Sequence, residues 1–306
     1  MKSGKYFFYR AYELNIKSEL YLPWFIALDN NYSGKLDLFI LFGKMSDSIK
    51  KEIQHGIKWR YKKDDMWFLI EEVAIFRIHN FNTITIETFE NYNEDHLKIY
   101  LNASAIGLLL LQRNEVAIHG STLVIDGNAI IFTGDSGAGK STLSVALRLK
   151  GYPFLSDDIS VTQKGSENNI LVKPGFPMQR LCSDTMKLMG FDTSNFIKVN
   201  DEKDKYALPV HDGYINNPVS LKAIFELSFG DVEEVQISQV TGSKKMVQLI
   251  KNIYLTDALP YIENKTAYFK KCIDIASKIK FYKLIRPKNL FSIDEQITKI
   301  LETLRE

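Results

Sequence analysis

The sequence of 306 residues has few cysteines, no long apolar run and little net charge. Its two cysteines, Cys182 and Cys272, form no CxxC pair, which argues against a disulfide-stapled fold and favours a reducing compartment. The longest apolar run, Ala105 to Leu111, is far shorter than the roughly 20 residues of a spanning helix. The charged N-terminus lacks an apolar signal segment, and a net charge of +2 is too small to indicate a nucleic-acid partner. We therefore expect a cytoplasmic protein that binds neither membrane nor nucleic acid.

Two parts of the chain differ in their patterns. Residues 1–92 alternate apolar and polar residues in short runs between turn signals, which predicts a β-rich N-terminal domain. Residues 93–306 are predicted to form an α/β catalytic domain that begins with a helix over 93–114 and ends in a helical part. An Asp126-Gly127 turn predicts a β-hairpin, and Ser292 with Glu295 predicts a capping box on the last helix.

The stretch Gly134–Ser141 reads GDSGAGKS and matches the phosphate-loop pattern G-x-x-x-x-G-K-[ST] in full. Glycines let the backbone curl so that amide groups point at a phosphate, while the lysine neutralises it and the serine hydroxyl can bind Mg²⁺. An apolar strand precedes the loop and an amphipathic helix follows it, as this motif requires. The pattern predicts a site for ATP, or another nucleoside triphosphate, with Mg²⁺, formed by Gly134, Asp135, Ser136, Gly137, Ala138, Gly139, Lys140, Ser141 and Thr142.

Two adjacent aspartates follow the loop at short range. Asp157 and Asp158 come 17 and 18 residues after Lys140, at the end of a short apolar run. This gap holds one helix and one turn, so we expect their strand to lie beside the strand that feeds the loop. One carboxylate could hold Mg²⁺ and the other could accept a proton, although a solvated turn is an alternative. His119 stands on the strand before the hairpin, where it would contact phosphate, orient an aspartate, or simply pack.

The segment HGSTLVIDGNAIIFTGDSGAGKSTLSVALRLKGYPFLSDDI resembles the catalytic core of HPr kinase/phosphorylase, which moves phosphate onto a serine of a carrier protein. The resemblance implies a P-loop kinase core similar to that of phosphoenolpyruvate carboxykinase. The family's glycine-rich magnesium-binding segment is replaced here by KPGFPMQR, which argues against phosphorylase activity and against HPr as the acceptor. Across most of its length the chain looks like a shorter subgroup associated with lasso peptides, whose members phosphorylate the C-terminal serine of a precursor peptide.

This resemblance also implies roles for individual residues. Lys140 and Ser141 would serve the nucleotide and the magnesium ion. Asp157 would be the general base toward the acceptor hydroxyl, Asp158 the acid on the metal side, and His119 a partner of a phosphate or an aspartate.

Arg180 and Lys205 are further candidates for the acceptor site. A guanidinium suits a two-point grip on a carboxylate or phosphate, but a surface salt bridge is the alternative for either residue. The acceptor itself stays open between a serine-containing peptide, free serine or another small hydroxyl compound, and HPr. A regulatory or assembly protein that hydrolyses ATP slowly would show the same motifs, and a homo-oligomer is possible.

Overall fold

The computed structural model describes residues 5–200, 204–210, 212–288 and 290–306. The chain folds into two compact units. The first comprises Met1–Glu115 with Asp257–Tyr268, and the second comprises Val116–Thr256 with Phe269–Glu306.

The first unit is built on one mixed sheet. Within the described part of the chain its eight strands have the spatial order β3-β1-β2-β4-β8-β7-β6-β5. Their bounds are β1 Phe7–Ala11, β2 Leu14–Ser18, β3 Ile26–Ala27, β4 Leu38–Phe42, β5 Trp59–Lys62, β6 Asp65–Ile70, β7 Ala74–His79 and β8 Thr83–Thr88. Helix α1 (Asp47–Gln54) packs Ile49 into a cluster with Met45, Trp67 and Ile75. Strands are therefore the main secondary structure of residues 7–88.

A helical segment follows this sheet, as the apolar spacing predicts. It consists of α2 (Glu94–Tyr100), a π-helical stretch (Leu101–Ala105) and α3 (Ile106–Gln112). Asn93 caps α2, because its side chain accepts a hydrogen bond from the backbone amide of His96. The segment belongs to the first unit, where its buried leucines pack against β7. The observed division at residue 115 thus differs from the boundary at residue 92 that composition predicts.

The second unit has a mixed sheet with the order β10-β9-β12-β13-β17-β19-β18 in its described residues, and β11 pairs with β9. The bounds are β9 Val116–Ile125, β10 Asn128–Gly134, β11 Phe154–Ser156, β12 Ile159–Lys164, β13 Ile170–Val172, β17 Val219–Gly230, β18 Gln236–Val240 and β19 Lys280–Pro287. Strands β10, β17 and β19 run parallel, so their carboxyl ends meet at one edge. Ligands of open α/β sheets bind at such an edge.

Two helices complete the core of this sheet, α4 Lys140–Leu149 and α8 Ile293–Arg305. The unit also contains α5 Ser183–Leu188 and α6 Lys244–Lys251, and it includes the part of α7 (Lys265–Lys278) that follows Tyr268. Apolar residues of α4 and α8, including Leu143 and Ile300, are fully buried with Phe132 and Phe225 of the sheet. The mixed α/β class is therefore confirmed. Among the described residues, no helix has both the length and the apolar character that crossing a membrane requires.

A smaller sheet in the second unit carries both candidate acceptor residues. Its order is β14-β16-β15, with β14 Met178–Cys182, β15 Ile197–Asn200 and β16 Lys205–Pro209. Leu181 and Leu208 of this sheet are buried with Val145 of α4. The sheet is thereby fixed against the helix that follows the glycine-rich loop.

Two local predictions about the second unit have opposite outcomes. The hairpin is confirmed: β9 and β10 pair antiparallel, and Asp126 and Gly127 have φ of 49° and 74°, the positive values that a type I′ turn needs. The capping box is wrong, because the Ser292 side chain makes no cap hydrogen bond and Glu295 instead accepts from the amide of Val235.

Candidate active site

The glycine-rich loop (Gly134–Ser141) joins the end of β10 to the start of α4, as the motif predicts. Gly134 has φ of 132°, and a Cβ there would lie 2.2 Å from the carbonyl oxygen of Leu227 on β17. Only glycine fits this close approach. Gly139, with φ of 105°, is the N-cap of α4 and has no side chain to bind the first amides of the helix. Those amides, together with the helix dipole, form a site suited to an anion.

The Lys140 ammonium folds back onto the loop. Its Nζ donates to the carbonyl oxygens of Gly134 at 2.7 Å and Asp135 at 3.1 Å. Burial lowers the pKa of Lys140, the negative charges of Asp158 and Asp157 oppose that effect, and the positive charge of Lys205 adds to it. A phosphate would be a stronger partner for this cation than two neutral carbonyls, so the lysine is held where a phosphate would bind.

The two aspartates interrupt a strand rather than end it. Asp157 and Asp158 separate β11 from β12, and Asp158 has φ of 65°. The expectation that their strand adjoins β10 is wrong, because β9 lies between them and pairs with β10, β11 and β12. A ten-residue hairpin arm occupies that position, so residues of β9 line the space between loop and acids.

Both carboxylate oxygens of Asp157 accept hydrogen bonds. The hydroxyl of Ser121 donates to Oδ1, and the backbone amide of Arg180 donates to Oδ2 at 2.8 Å. Burial is the main cause that raises the pKa of Asp157, and the neighbouring charge of Asp158 adds to it, whereas the two hydrogen bonds oppose it. The raised pKa makes this carboxylate a better proton acceptor than an ordinary exposed aspartate.

Asp158 faces positive charge instead. Its Oδ2 lies 3.1 Å from Arg180 Nη1, and its Oδ1 lies 3.5 Å from Nε2 of His119. The hydroxyl of Tyr254 lies 3.5 Å from Oδ2, and its ring packs edge-on against the imidazole. Burial alone would raise the pKa of Asp158, but Arg180, His119 and Lys205 together bring it far below the usual range. Adjacent carboxylates with pKa values displaced in opposite directions are typical of paired catalytic acids.

The two candidate acceptor residues lie at this cluster. Arg180 of β14 is only 14% exposed and binds Asp158, so it forms a site ion pair rather than a surface salt bridge. Lys205 begins β16 opposite Cys182, close enough for its charge to affect both Lys140 and Asp158. The fold thus brings together His119, Lys140, Asp157, Asp158, Arg180 and Lys205, which lie up to 86 positions apart in the sequence.

A second polar network supports the loop from β17 and α6. The buried carboxylate of Glu226 accepts from Lys251 Nζ at 3.1 Å and from Asn252 Nδ2 at 3.2 Å. Lys251 Nζ also lies 3.7 Å from the Asp135 carboxylate of the loop. Thr133, the residue before Gly134, donates to Asn252 Oδ1 at 2.8 Å. The strand that feeds the loop is therefore tied to α6 through buried hydrogen bonds.

Sequence reasoning missed Ser121, Glu226, Lys251 and Asn252. Ser121 could have been found, because it stands two residues after His119 on the same strand and so on the same face. Glu226 could also have been noticed as a single charge inside the apolar run AIFELSF, since charged residues are almost never buried without a partner. For Lys251 and Asn252 the sequence carries no signal, because their helix meets the loop only in the tertiary fold.

The donor set fits a magnesium ion that is shared with a nucleotide. Asp158 stays ionised, and Ser141 follows Lys140 in the first turn of α4. Hard oxygen ligands of this kind are what Mg²⁺ prefers. Within the described residues no group of three or more His, Cys, Asp and Glu side chains could hold a metal by itself. A magnesium ion would therefore need phosphate oxygens and water to complete its shell, as is usual in phosphate sites.

No protein-family model matches the chain, and no curated protein matches it. Among solved structures it is similar to an HPr(Ser) kinase/phosphatase from Coxiella burnetii. The sequences are 16% identical, the match covers 62% of this chain and 93% of that chain, and the TM-score is 0.32. A likeness at this level says nothing about the chemistry of the site.

Proposed function

We propose that this protein is an ATP-dependent serine kinase of the HPr-kinase-like type. One observation carries the proposal: two adjacent carboxylates, one held by Ser121 and the amide of Arg180 and the other paired with Arg180 and His119, lie within electrostatic reach of the lysine of a glycine-rich loop. The loop accounts for binding a triphosphate, and the carboxylate with the raised pKa accounts for activating a hydroxyl.

The reaction moves one phosphoryl group. The acceptor's serine Oγ attacks the γ-phosphorus while its proton passes to the carboxylate of Asp157. The bond between the γ-phosphorus and the bridging oxygen breaks, and ADP leaves with that electron pair. Lys140 and the amides of the loop stabilise the negative charge on the moving group.

Asp158 and Ser141 are the residues that would hold Mg²⁺. When bound, the ion would neutralise charge on the triphosphate and help to orient it. The ion pairs of Asp158 with Arg180 and His119 keep this carboxylate ionised and fix its position. His119 therefore acts as a positioning residue for the acid on the metal side.

The charges around the acid pair support an acceptor that ends in a carboxylate. Arg180 and Lys205 place two cations beside the acid pair. A C-terminal serine presents a hydroxyl and a carboxylate three bonds apart, so the carboxylate could bind these cations while the hydroxyl faces Asp157. The C-terminal serine of a lasso-type precursor peptide, our proposed acceptor, carries both groups, and free serine carries them too.

The test is phosphate transfer from Mg-ATP to a panel of acceptors, followed by intact mass. The panel contains a peptide ending in serine, the same peptide with a C-terminal amide, free serine and HPr. We expect the free-acid peptide to gain one phosphate with wild-type protein and with Asp126→Asn, an exposed aspartate in the hairpin turn. Asp157→Asn should not support the gain.

The other outcomes are equally informative. Transfer only to free serine or to HPr would support the proposed kinase activity but contradict the proposed peptide acceptor. ADP formation with every acceptor unmodified would contradict the kinase and favour a regulatory ATP-binding protein.

A further inference from the structure

A pocket of about 270 Å³ is lined by residues of the glycine-rich loop, and neither aspartate of the acid pair is among its lining residues. Gly137, Gly139 and Thr142 form one wall, α5 forms a second, and Arg286 with residues 290–293 and Gln296 forms the third. The described lining residues and the cluster around Asp157 share no member. The loop therefore has two distinct flanks, one of which is acidic and charged and the other of which is a mixed apolar pocket.

The apolar lining of the pocket includes two large exposed side chains. Leu290 and Phe291 are 55% and 58% exposed. They stand immediately before α8, next to a pocket that opens onto the loop. An exposed aromatic ring beside a phosphate-binding loop is suited to stack on a nucleobase, since every base presents a flat π-face.

A buried polar atom in the pocket lacks a partner. Gln296 is only 1% exposed and its Nε2 donates to Ser292 Oγ at 3.2 Å. Its Oε1 has no hydrogen-bond partner among the described residues. Buried acceptors in folded proteins are almost always satisfied, so this oxygen is available to accept a hydrogen bond from an N–H group of a ligand.

Arg286 holds the pocket wall against the loop. Its Nε donates to the carbonyl oxygen of Ala138 at 3.2 Å, and its guanidinium lies 5.7 Å from the centre of the Phe229 ring. These contacts connect the end of β19 to the turn that would surround the phosphates. The pocket and the loop are thus parts of one continuous surface.

We propose that this pocket binds the nucleoside of the triphosphate, with the base against Phe291 and an N–H group of the base donating to Gln296. The inference rests on the proposed function, because it assumes that the loop holds a triphosphate. The direction of the nucleotide follows from the two flanks. Its reactive γ-phosphate must face the acid pair for transfer to occur, so its nucleoside extends toward the pocket.

The test compares Mg-ATP with inorganic tripolyphosphate, which has the phosphates but no nucleoside, by isothermal titration calorimetry. The proteins are wild type, Phe291→Ala, Gln296→Leu and Lys140→Met. Phe269→Ala serves as the matched control, because Phe269 is 41% exposed and is not among the lining residues. Thermal unfolding checks that each variant folds. If the buried substitution Gln296→Leu prevents folding, Phe291→Ala still tests the pocket, because Phe291 is exposed.

We expect Phe291→Ala to weaken ATP about 5-fold or more, the lower end of base–aromatic stacking, with tripolyphosphate affinity unchanged. Gln296→Leu should act in the same direction, Lys140→Met should weaken both ligands, and Phe269→Ala neither. Equal affinities of wild type for ATP and tripolyphosphate, or an unchanged ATP affinity in Phe291→Ala, would overturn the proposal that this pocket binds the nucleoside. Neither result would contradict the proposed kinase activity. Failure of wild type to bind either ligand would overturn both.

Discussion

The two flanks of the glycine-rich loop differ in chemistry although they share the same loop. On one flank, Asp157, Asp158, His119 and Arg180 form a partly buried network in which each group is held by another. On the other, exposed Phe291 borders a pocket with an unsatisfied amide oxygen. Preorganised charge suits the end of a ligand where bonds change, whereas a pocket with unused binding groups suits the end that is only held. The difference between the flanks thus predicts that the reacting end of the ligand lies at the acidic flank and its other end lies in the pocket.

Lys140→Met should have the largest effect, because this cation serves both flanks through the phosphates between them. We expect kcat/KM for transfer to fall about 10²-fold or more, the typical loss when one preorganised electrostatic group is removed. Steady-state kinetics with the acceptor peptide would measure it. Lys164→Met, an exposed lysine at the end of β12, is the matched control. A loss below 10-fold would mean that the loop does not hold the reacting phosphates.

Asp157→Asn should break the acidic flank alone. Removing a general base lowers kcat by about 10²–10⁴-fold, while ATP affinity should stay close to wild type because the nucleoside flank is intact. The amide can keep both hydrogen bonds, since its oxygen accepts from Arg180 and the Ser121 hydroxyl can accept from its nitrogen. Kinetics and calorimetry on the same preparation separate the two effects. A parallel loss of affinity and turnover would contradict the division between the flanks.

The pH profile sharpens the same point. Since burial raises the pKa of Asp157, this base becomes protonated at a higher pH than an ordinary aspartate. The transfer rate of the wild type should therefore fall as the pH is lowered through that raised pKa. Asp157→Asn should show no such fall. A wild-type profile that is flat down to the usual aspartate range near pH 3.9 would contradict the assignment of the base.

Asp158→Asn should affect stability, by contrast with Asp157→Asn. Asparagine tolerates the left-handed backbone at this position, so the main change is the loss of a partner for Arg180. We expect the free energy of unfolding to drop by about 1–3 kcal/mol near pH 7. Because its pKa is lowered on folding, Asp158 stabilises above the unfolded pKa of about 3.9, and the difference should shrink as the pH falls below it. Urea unfolding at several pH values tests this.

The pKa of Asp157 is raised instead, so its contribution has the opposite sign. It stabilises the fold below the unfolded pKa and loses that contribution as the pH rises through the folded pKa. Asp157→Asn should therefore be neutral or stabilising near pH 7. Asp126→Asn should be neutral throughout. If Asp157→Asn lowered the free energy of unfolding as much as Asp158→Asn does, the two carboxylates would not differ in their contributions to stability.

Lys251→Met should have the smallest effect, because Lys251 belongs to the polar network that supports the loop and not to either flank. It leaves Glu226 buried with Asn252 as a donor, and we expect a loss of about 1 kcal/mol in the free energy of unfolding. Lys251→Arg should restore most of it. Urea unfolding of both variants would measure the difference. An unchanged free energy of unfolding in Lys251→Met would show that the lysine does not stabilise the network.

Much of the acidic flank could be predicted from the sequence, because local rules determine it. The loop motif, the Asp126-Gly127 hairpin and the His119 strand all depend on residues near one another in the chain. Burial was harder to foresee. That Asp157 and Asp158 have opposite pKa shifts depends on Arg180 and Ser121, which approach from two other strands.

The pocket flank could not be predicted in this way. Phe291 and Gln296 lie 150 and 155 residues after the last residue of the loop, Ser141, and the sequence around them indicates only the start of a helix. Their place follows from the parallel pairing of β10, β17 and β19, which brings the end of β19 to the loop. The failed capping box has the same kind of cause, because Glu295 accepts from the amide of Val235, 60 residues earlier, instead of capping its own helix.

A crystal structure with Mg²⁺ and a non-hydrolysable ATP analogue would test the direction of the nucleotide most directly. We predict that the γ-phosphate lies next to Lys140 and the acid pair, that the base packs against Phe291, and that an N–H group of the base donates to Oε1 of Gln296. A γ-phosphate that points toward α8, or a base that lies beside Asp157, would contradict the assignment of both flanks.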